Sequence, residues 1–282
     1  MPERPGAGTL SVVADDGVTL AGEESGAGPA IVLLHGLTAT RRYVVMGSRL
    51  LERSGLRVVA YDARGHGRST PAPEPGAYGY ERLTRDLLTV LDALGIERAI
   101  LAGASMGAHT IARFTLRHPE RVAALALITP SYDPAADTTG PDAFADWDAL
   151  ARGLRDGGVE GFLAAYDFSP VPDAWRATVE TVVRQRLSAH DHPGALADAL
   201  QAVPRSRPFE RIEELTGIVA PTLVIASRDE ADPGHPLAVS ERYAQAIPGA
   251  RLVVEDAGPP PQSPLAWQGG RLSKALLGLA AE

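Results

Sequence analysis

Five residues, Gly103-Ala104-Ser105-Met106-Gly107, have the types and spacing that nucleophilic acyl chemistry requires. They follow an apolar run, "AILAGA" at 99 to 104, that reads as a buried strand, and they open a segment at 106 to 118 with helical spacing of its apolar residues. A strand that turns sharply into a helix holds such a serine in a strained backbone conformation and lifts its hydroxyl above the sheet. Flanking glycines let strand and helix approach closely. Met106, at the helix start, then offers a backbone N–H to an oxyanion forming on a substrate. A second donor is expected from the backbone N–H of Leu37, in His35-Gly36-Leu37 after the apolar run at 30 to 35.

The elements that must position these groups follow from patterning. Short β-branched runs at 30 to 35, 57 to 62, 99 to 104 and 122 to 128 read as buried strands. Segments 41 to 54, 79 to 95 and 106 to 118 read as the helices between them. Two runs flanking Asp15-Asp16-Gly17 predict an antiparallel hairpin at the start. Alternation returns with a strand at 220 to 227, a helix at 236 to 247, a strand at 250 to 255 and a last helix from 264. The class is α/β, a mostly parallel sheet of about eight strands. Residues 131 to 213 hold amphipathic helical pieces without a convincing strand, so the core comprises 1 to 130 and 214 to 282 with a helical cap inserted between.

Composition bounds the partners. A net charge of −8 disfavours nucleic acid and anionic membrane surfaces, and favours a small-molecule substrate. The absence of cysteine removes disulfides, thiolate metal sites and a cysteine nucleophile together. No metal-ligand cluster, dinucleotide fingerprint or phosphate loop is present, so neither metal nor cofactor is expected. No basic leader with an apolar run and no long apolar span occurs, which makes a cytoplasmic location the expectation. Lys274 is the sole lysine among 27 basic residues, a bias expected of a GC-rich bacterial genome.

Through "LLHG", "DARGHGRS", "GASMG", "RHPERV" and "PTLVIASRDEADPGHP", the chain resembles the α/β-hydrolase family over nearly its whole length. The resemblance implies Ser105 as nucleophile, an acid after the penultimate strand, a histidine after the last strand, and a substrate pocket under the cap. It implies Asp229 as the acid, Asp232 as second choice and Asp133 as a remote third. A serine at the elbow, where relatives that open epoxides carry aspartate, points to acyl chemistry.

The stretch "VVEDAGPPPQSPLAW" departs from the pattern, since Pro259 stands where the family's histidine belongs. A serine hydroxyl is a weak nucleophile without a base, and loss of a triad histidine costs about 10⁶ in rate. Of seven histidines, His35 and His66 lie in structural loops, His109 sits one turn beyond Ser105 and His118 ends a helix. His190 and His192 lie in the cap and reach the serine only if the cap closes that way. His235, six residues past Asp229 and just ahead of Pro236, is the best substitute base, because a helix N-terminus keeps an imidazole neutral. The leading expectation is an esterase-like hydrolase of Ser105, Asp229 and His235 with Leu37 and Met106 as oxyanion donors. The alternatives are a ligand-binding member that lost its chemistry and a non-hydrolytic lyase or cyclase.

Overall fold

The computed structural model describes residues 8–136, 138–140, 142–228, 232–256 and 263–281. Its hairpin pairs β1 (Gly8–Val13) with β2 (Thr19–Ser25) in antiparallel register across the predicted Asp-Gly turn. Next come β3 (Ala30–Leu34), the short α1 (Leu50–Arg53), β4 (Arg57–Tyr61), α2 (Tyr80–Ala93), β5 (Ala99–Ala104), α3 (Met106–Arg117) and β6 (Val122–Ile128). Three helices follow, α4 (Ala145–Ala165), α5 (Asp173–Leu187) and α6 (Pro193–Arg205), and then β7 (Thr222–Ala226), α7 (Leu237–Ala246), β8 (Arg251–Val254) and α8 (Gly269–Ala280).

The sheet order is β1-β2-β4-β3-β5-β6-β7-β8, with β2 antiparallel to both its neighbours and every later pairing parallel. Side chains alternate across it, as the pleat demands. Val32, Leu34, Leu101, Leu125 and Val224 join one core with α2, α3 and α7, while Ile31, Leu33, Ile100, Ala126 and Ile225 join another with α1 and α8. Burial on both faces explains why these strands are continuous apolar runs rather than alternating ones.

The expected helix at 41 to 54 is broken. A 3-10 turn occupies Arg41–Tyr43, and Met46 and Gly47 then take φ of 46° and 74°, which no α-helix accommodates, so only Leu50–Arg53 is α-helical. Pro236 is the N-cap of α7 rather than its first helical residue, with extended ψ of 133°. The last helix begins at Gly269, five residues later than expected, after a 3-10 turn at Leu265–Trp267. α4 is kinked at Gly158, whose φ of 60° and ψ of −144° interrupt the helical path.

Strand order reverses direction between β3 and β5, the topological switch point at which open α/β sheets form their ligand crevice. Register brings the C-terminal ends of four strands to one edge: Leu34 is beside Gly103, Ala104 beside Ile128, and Ile128 beside Ile225. The loops that carry Leu37, Ser105, Tyr132 and His235 therefore all leave the sheet at the same side.

Candidate active site

Ser105 is the one residue between β5 and α3, with φ 50° and ψ −113°. An L-residue is strained there, at a cost on the order of 1–3 kcal/mol. The surroundings impose it. The Ser105 N–H donates to the Ile128 carbonyl at 2.9 Å, extending the ladder to β6, while its carbonyl accepts from His109 N–H at 3.0 Å to start α3. A Cβ at Gly103 would lie 2.4 Å from the Gly107 carbonyl, and one at Gly107 would lie 2.4 Å from that of Leu34. Both positions must therefore be glycine for helix and strands to meet this closely. Ser105 is half-buried, whereas Met106, Gly107 and Ala108 behind it are buried.

The loop after β3 passes directly over the serine: a Cβ at Gly36 would stand 3.4 Å from Ser105 Cβ. Leu37 is the next residue, and Met106 occupies the first position of α3, whose N–H has no acceptor within its own helix. Side chains of Leu37 and Met106 pack in one apolar cluster with Val183 and Leu187 of α5 and Leu196 of α6. The inserted helices thus lie on the residues that flank Ser105.

Three histidines face three consecutive carbonyls of that loop. His35 accepts the Ala63 N–H at Nε2, 2.9 Å, so its Nδ1–H donates to Gly36 O at 2.8 Å. His190 accepts the Gly67 N–H at Nδ1, 2.9 Å, so its Nε2–H donates to Thr38 O at 3.2 Å. His66 points Nε2 at Leu37 O, 2.7 Å, and Nδ1 at Arg64 O, 2.8 Å. A neutral ring can donate to only one of those two. Burial pulls its pKa below the ordinary histidine value, against the carbonyls and Asp62. Burial, followed by the neighbouring His66, also lowers His35 and brings His190 down to about 3. His66 lies between the other two, with ring centroids 5.1 Å from His35 and 5.6 Å from His190.

The loop from Asp62 to Ser69 is structural. The Asp62 carboxylate accepts the backbone N–H groups of Arg41 and Arg68, at 2.9 and 3.1 Å, and pairs with the Arg41 guanidinium. Arg64, buried, pairs with Asp16 and Asp86.

His109 does not point along its helix. Its Nε2 accepts the N–H groups of both Ser131 and Tyr132 at 3.0 Å, so its Nδ1–H donates to the Tyr80 hydroxyl at 2.9 Å. Burial, and then the like charge of His235, push it down to about 3. It anchors the chain leaving β6, where Thr129 is itself strained at φ 45°. His118 caps the C-terminus of α3 and stacks on Phe114, with centroids 5.0 Å apart. His192 is the N-cap of α6, ahead of Pro193.

Among the candidate bases, His235 has the partner a base needs. Its Nδ1 is 2.8 Å from Asp232 Oδ1, and its N–H donates to the Asp232 carbonyl at 3.1 Å. Donation from Nδ1–H leaves Nε2 as the free lone pair. Asp232 is partly withdrawn from water, which opposes its ionisation. The charge and hydrogen bond of His235, then the charge of Arg186, outweigh that and hold its carboxyl below the ordinary aspartate value. Asp133 is engaged elsewhere: it pairs with Arg242 and accepts the Ala135 N–H at 2.9 Å. Asp229 and Pro259 lie outside the described residues.

Sequence reading missed Glu255. This carboxylate, 2% exposed, accepts the N–H groups of Arg228 and Leu265, and so ties the end of β7 to the segment before α8. It also missed what His190 holds, because the partners of that ring are remote in sequence. Among the described residues no group of His, Asp and Glu is arranged to hold a metal ion, and no helix is long and apolar enough to cross a membrane.

A family model described as alpha/beta hydrolase fold matches residues 29–263. A 2-hydroxy-6-oxononadienedioate/2-hydroxy-6-oxononatrienedioate hydrolase of Paraburkholderia phymatum is 34% identical over 211 residues, 71% of this chain and 69% of that protein. A match at 42% identity to a candidate non-heme haloperoxidase of Mycobacterium phage D29 spans 42% of each chain. Among solved structures, a thermophilic esterase from Thermogutta terrifontis superposes with a TM-score of 0.77 at 27% identity, covering 98% of both chains. The enol-lactonase of Burkholderia xenovorans does so with a TM-score of 0.74 at 25% identity, covering 98% of this chain and 100% of the other.

Proposed function

The chain belongs to the alpha/beta hydrolase family, and from that premise we propose that it hydrolyses a small ester-like carbonyl substrate through Ser105, with His235 and Asp232 as base and orienting acid. Ser105 Oγ attacks the carbonyl carbon while His235 Nε2 takes its proton. Asp232 accepts the Nδ1–H of the ring, selecting the tautomer and stabilising the imidazolium that forms. The tetrahedral oxyanion is met by the backbone N–H groups of Leu37 and Met106, each such donor being worth about 10²–10³ in rate. The imidazolium returns its proton to the leaving oxygen as the carbon–oxygen bond breaks, and water repeats the sequence to release the acid. Helices α4 to α6, between residues 131 and 213, form the cap that shelters this chemistry.

The observation that carries this reading is the serine at φ 50°, half-exposed, between a helix start and the loop of Leu37. Strain of this kind persists only where the surroundings over-determine it, and it clusters at reactive sites. The hydrogen bond from His235 to Asp232 supports the choice of base and is the ground for proposing the second candidate, Asp232, as its acid. The named hydrolase, esterase and lactonase among the relatives support the reaction class.

Labelling with a fluorophosphonate probe tests the reading. The protein is expected to label at Ser105, to lose labelling in Ser105→Ala and to label at least a hundredfold more slowly in His235→Ala. A protein that remains unlabelled, and inert towards a panel of short-chain esters, would leave the fold without this function.

A further inference from the structure

Arg186 on α5 is a cation with no anion beside it among the described residues. Its Nε is buried from solvent and has no hydrogen-bond partner, and no carboxylate among the described residues lies within ion-pair distance of it. Its guanidinium carbon stands 5.6 Å from the centre of the Tyr43 ring, its one close aromatic support. The contrast on the same helix is direct: Arg184, two residues earlier, is paired with both Glu160 and Glu180. Arg186 is half-buried, and a donor such as its Nε, shut off from water and unsatisfied, costs about 1–3 kcal/mol. Such a feature persists in a fold when something other than stability keeps it.

Its position says what that is. Val183, three residues before Arg186 and so on its side of α5, belongs to the apolar cluster that also holds Leu37 and Met106. Tyr43 belongs to the 3-10 turn that follows the Leu37 loop. The charge of Arg186 also acts on Asp232 and on Tyr166. The guanidinium thus stands at the turn that follows the Leu37 loop, with its charge reaching the carboxylate that holds His235. Stacked on an aromatic ring, a guanidinium keeps its edge free, and that planar fork matches the two oxygens of a carboxylate.

We propose that Arg186 is the anchor for a carboxylate carried by the substrate, so that the enzyme acts on carbonyl compounds bearing a second, ionised carboxyl group. This deepens the hydrolase reading above and rests on it. Arg186 recognises the substrate and takes no part in proton transfer. Its field at Asp232 offers a competing role, that of holding the dyad, and the two roles separate kinetically. Loss of an anchor raises KM for anionic substrates alone, whereas loss of support for Asp232 lowers kcat for every substrate.

The test compares the mono-4-nitrophenyl ester of glutarate with neutral 4-nitrophenyl butyrate in the wild type, Arg186→Gln and Arg186→Lys. The ratio of kcat/KM, anionic over neutral, is expected to be tenfold or more in the wild type, to fall to about 1 in Arg186→Gln and to recover in part in Arg186→Lys. A ratio unchanged by Arg186→Gln, with both esters still hydrolysed, overturns the anchor and leaves the hydrolase standing. Equal losses of kcat on both esters overturn it in favour of the dyad role. Should neither ester turn over, calorimetric titration of the folded protein with glutarate decides. Millimolar or tighter binding, weakened at least tenfold in Arg186→Gln, supports the anchor, and absence of binding to the wild type overturns it.

Discussion

The imidazole of His190 donates to the carbonyl of Thr38, 152 positions away in sequence, at 3.2 Å, and so fastens the inserted helices to the loop that lies over Ser105. Through its other nitrogen the same ring receives the Gly67 N–H. A single side chain therefore sets the distance between three segments, and the N–H of Leu37 lies beside the fastening point.

Replacing His190 by Ala leaves the Gly67 N–H and Thr38 carbonyl without a partner, which costs about 2 kcal/mol. A fall of about 5 °C in Tm is expected from calorimetry. Because the proposed donor, the Leu37 N–H, loses its support, kcat for ester hydrolysis should fall about tenfold or more while KM changes less. Unchanged kcat would separate the fastening from the chemistry.

Acid should unfold the protein through its buried histidines. His109 and His190 have pKa values of about 3 in the fold against 6.5 for a free ring. The unfolded chain therefore binds the protons first. The stability contributed by the neutral rings is complete above pH 6.5 and is lost as pH falls from there towards 3, amounting to about 2 kcal/mol for each ring at pH 5. Chemical denaturation at pH 7 and pH 5 should show this fall, and His190→Gln, which cannot be protonated, should reduce it by about 2 kcal/mol, the share of that ring.

Two carboxylates compete for the role of acid, and substitution distinguishes them. Asp232 accepts the hydrogen bond of His235, so Asp232→Asn should lower kcat by about 10⁴, as expected when the tautomer of a base is no longer held. Asp229→Asn should change kcat less than threefold. The reverse ranking would return the acid to Asp229.

Gly107→Ala should abolish activity and destabilise the fold by about 3 kcal/mol, since its methyl group would stand 2.4 Å from the Leu34 carbonyl, a backbone atom that cannot yield. Thermal unfolding and ester turnover measured on one preparation check both effects.

Sequence determined the elbow and the sheet that bears it, because both rest on local rules. Apolar β-branched runs buried on two faces read as strands, and glycines two residues either side of a serine mark where strand and helix must nearly touch. It also put forward His235 as the base and Leu37 and Met106 as oxyanion donors, the roles proposed above. The broken helix after residue 41 was beyond it, since its apolar spacing is helical and only the positive φ at Met46 and Gly47 interrupts it.

What tertiary structure alone decided is pairing. Asp232 rather than Asp133 meets His235, because Arg242 has already claimed Asp133. His190 serves the Leu37 loop rather than the serine, and among the described residues Arg186 has no ion-pair partner while Arg184 does. Each outcome depends on directions of side chains brought together from distant segments, and spacing along one chain holds no information about which of several equal charges or rings will point at a given atom.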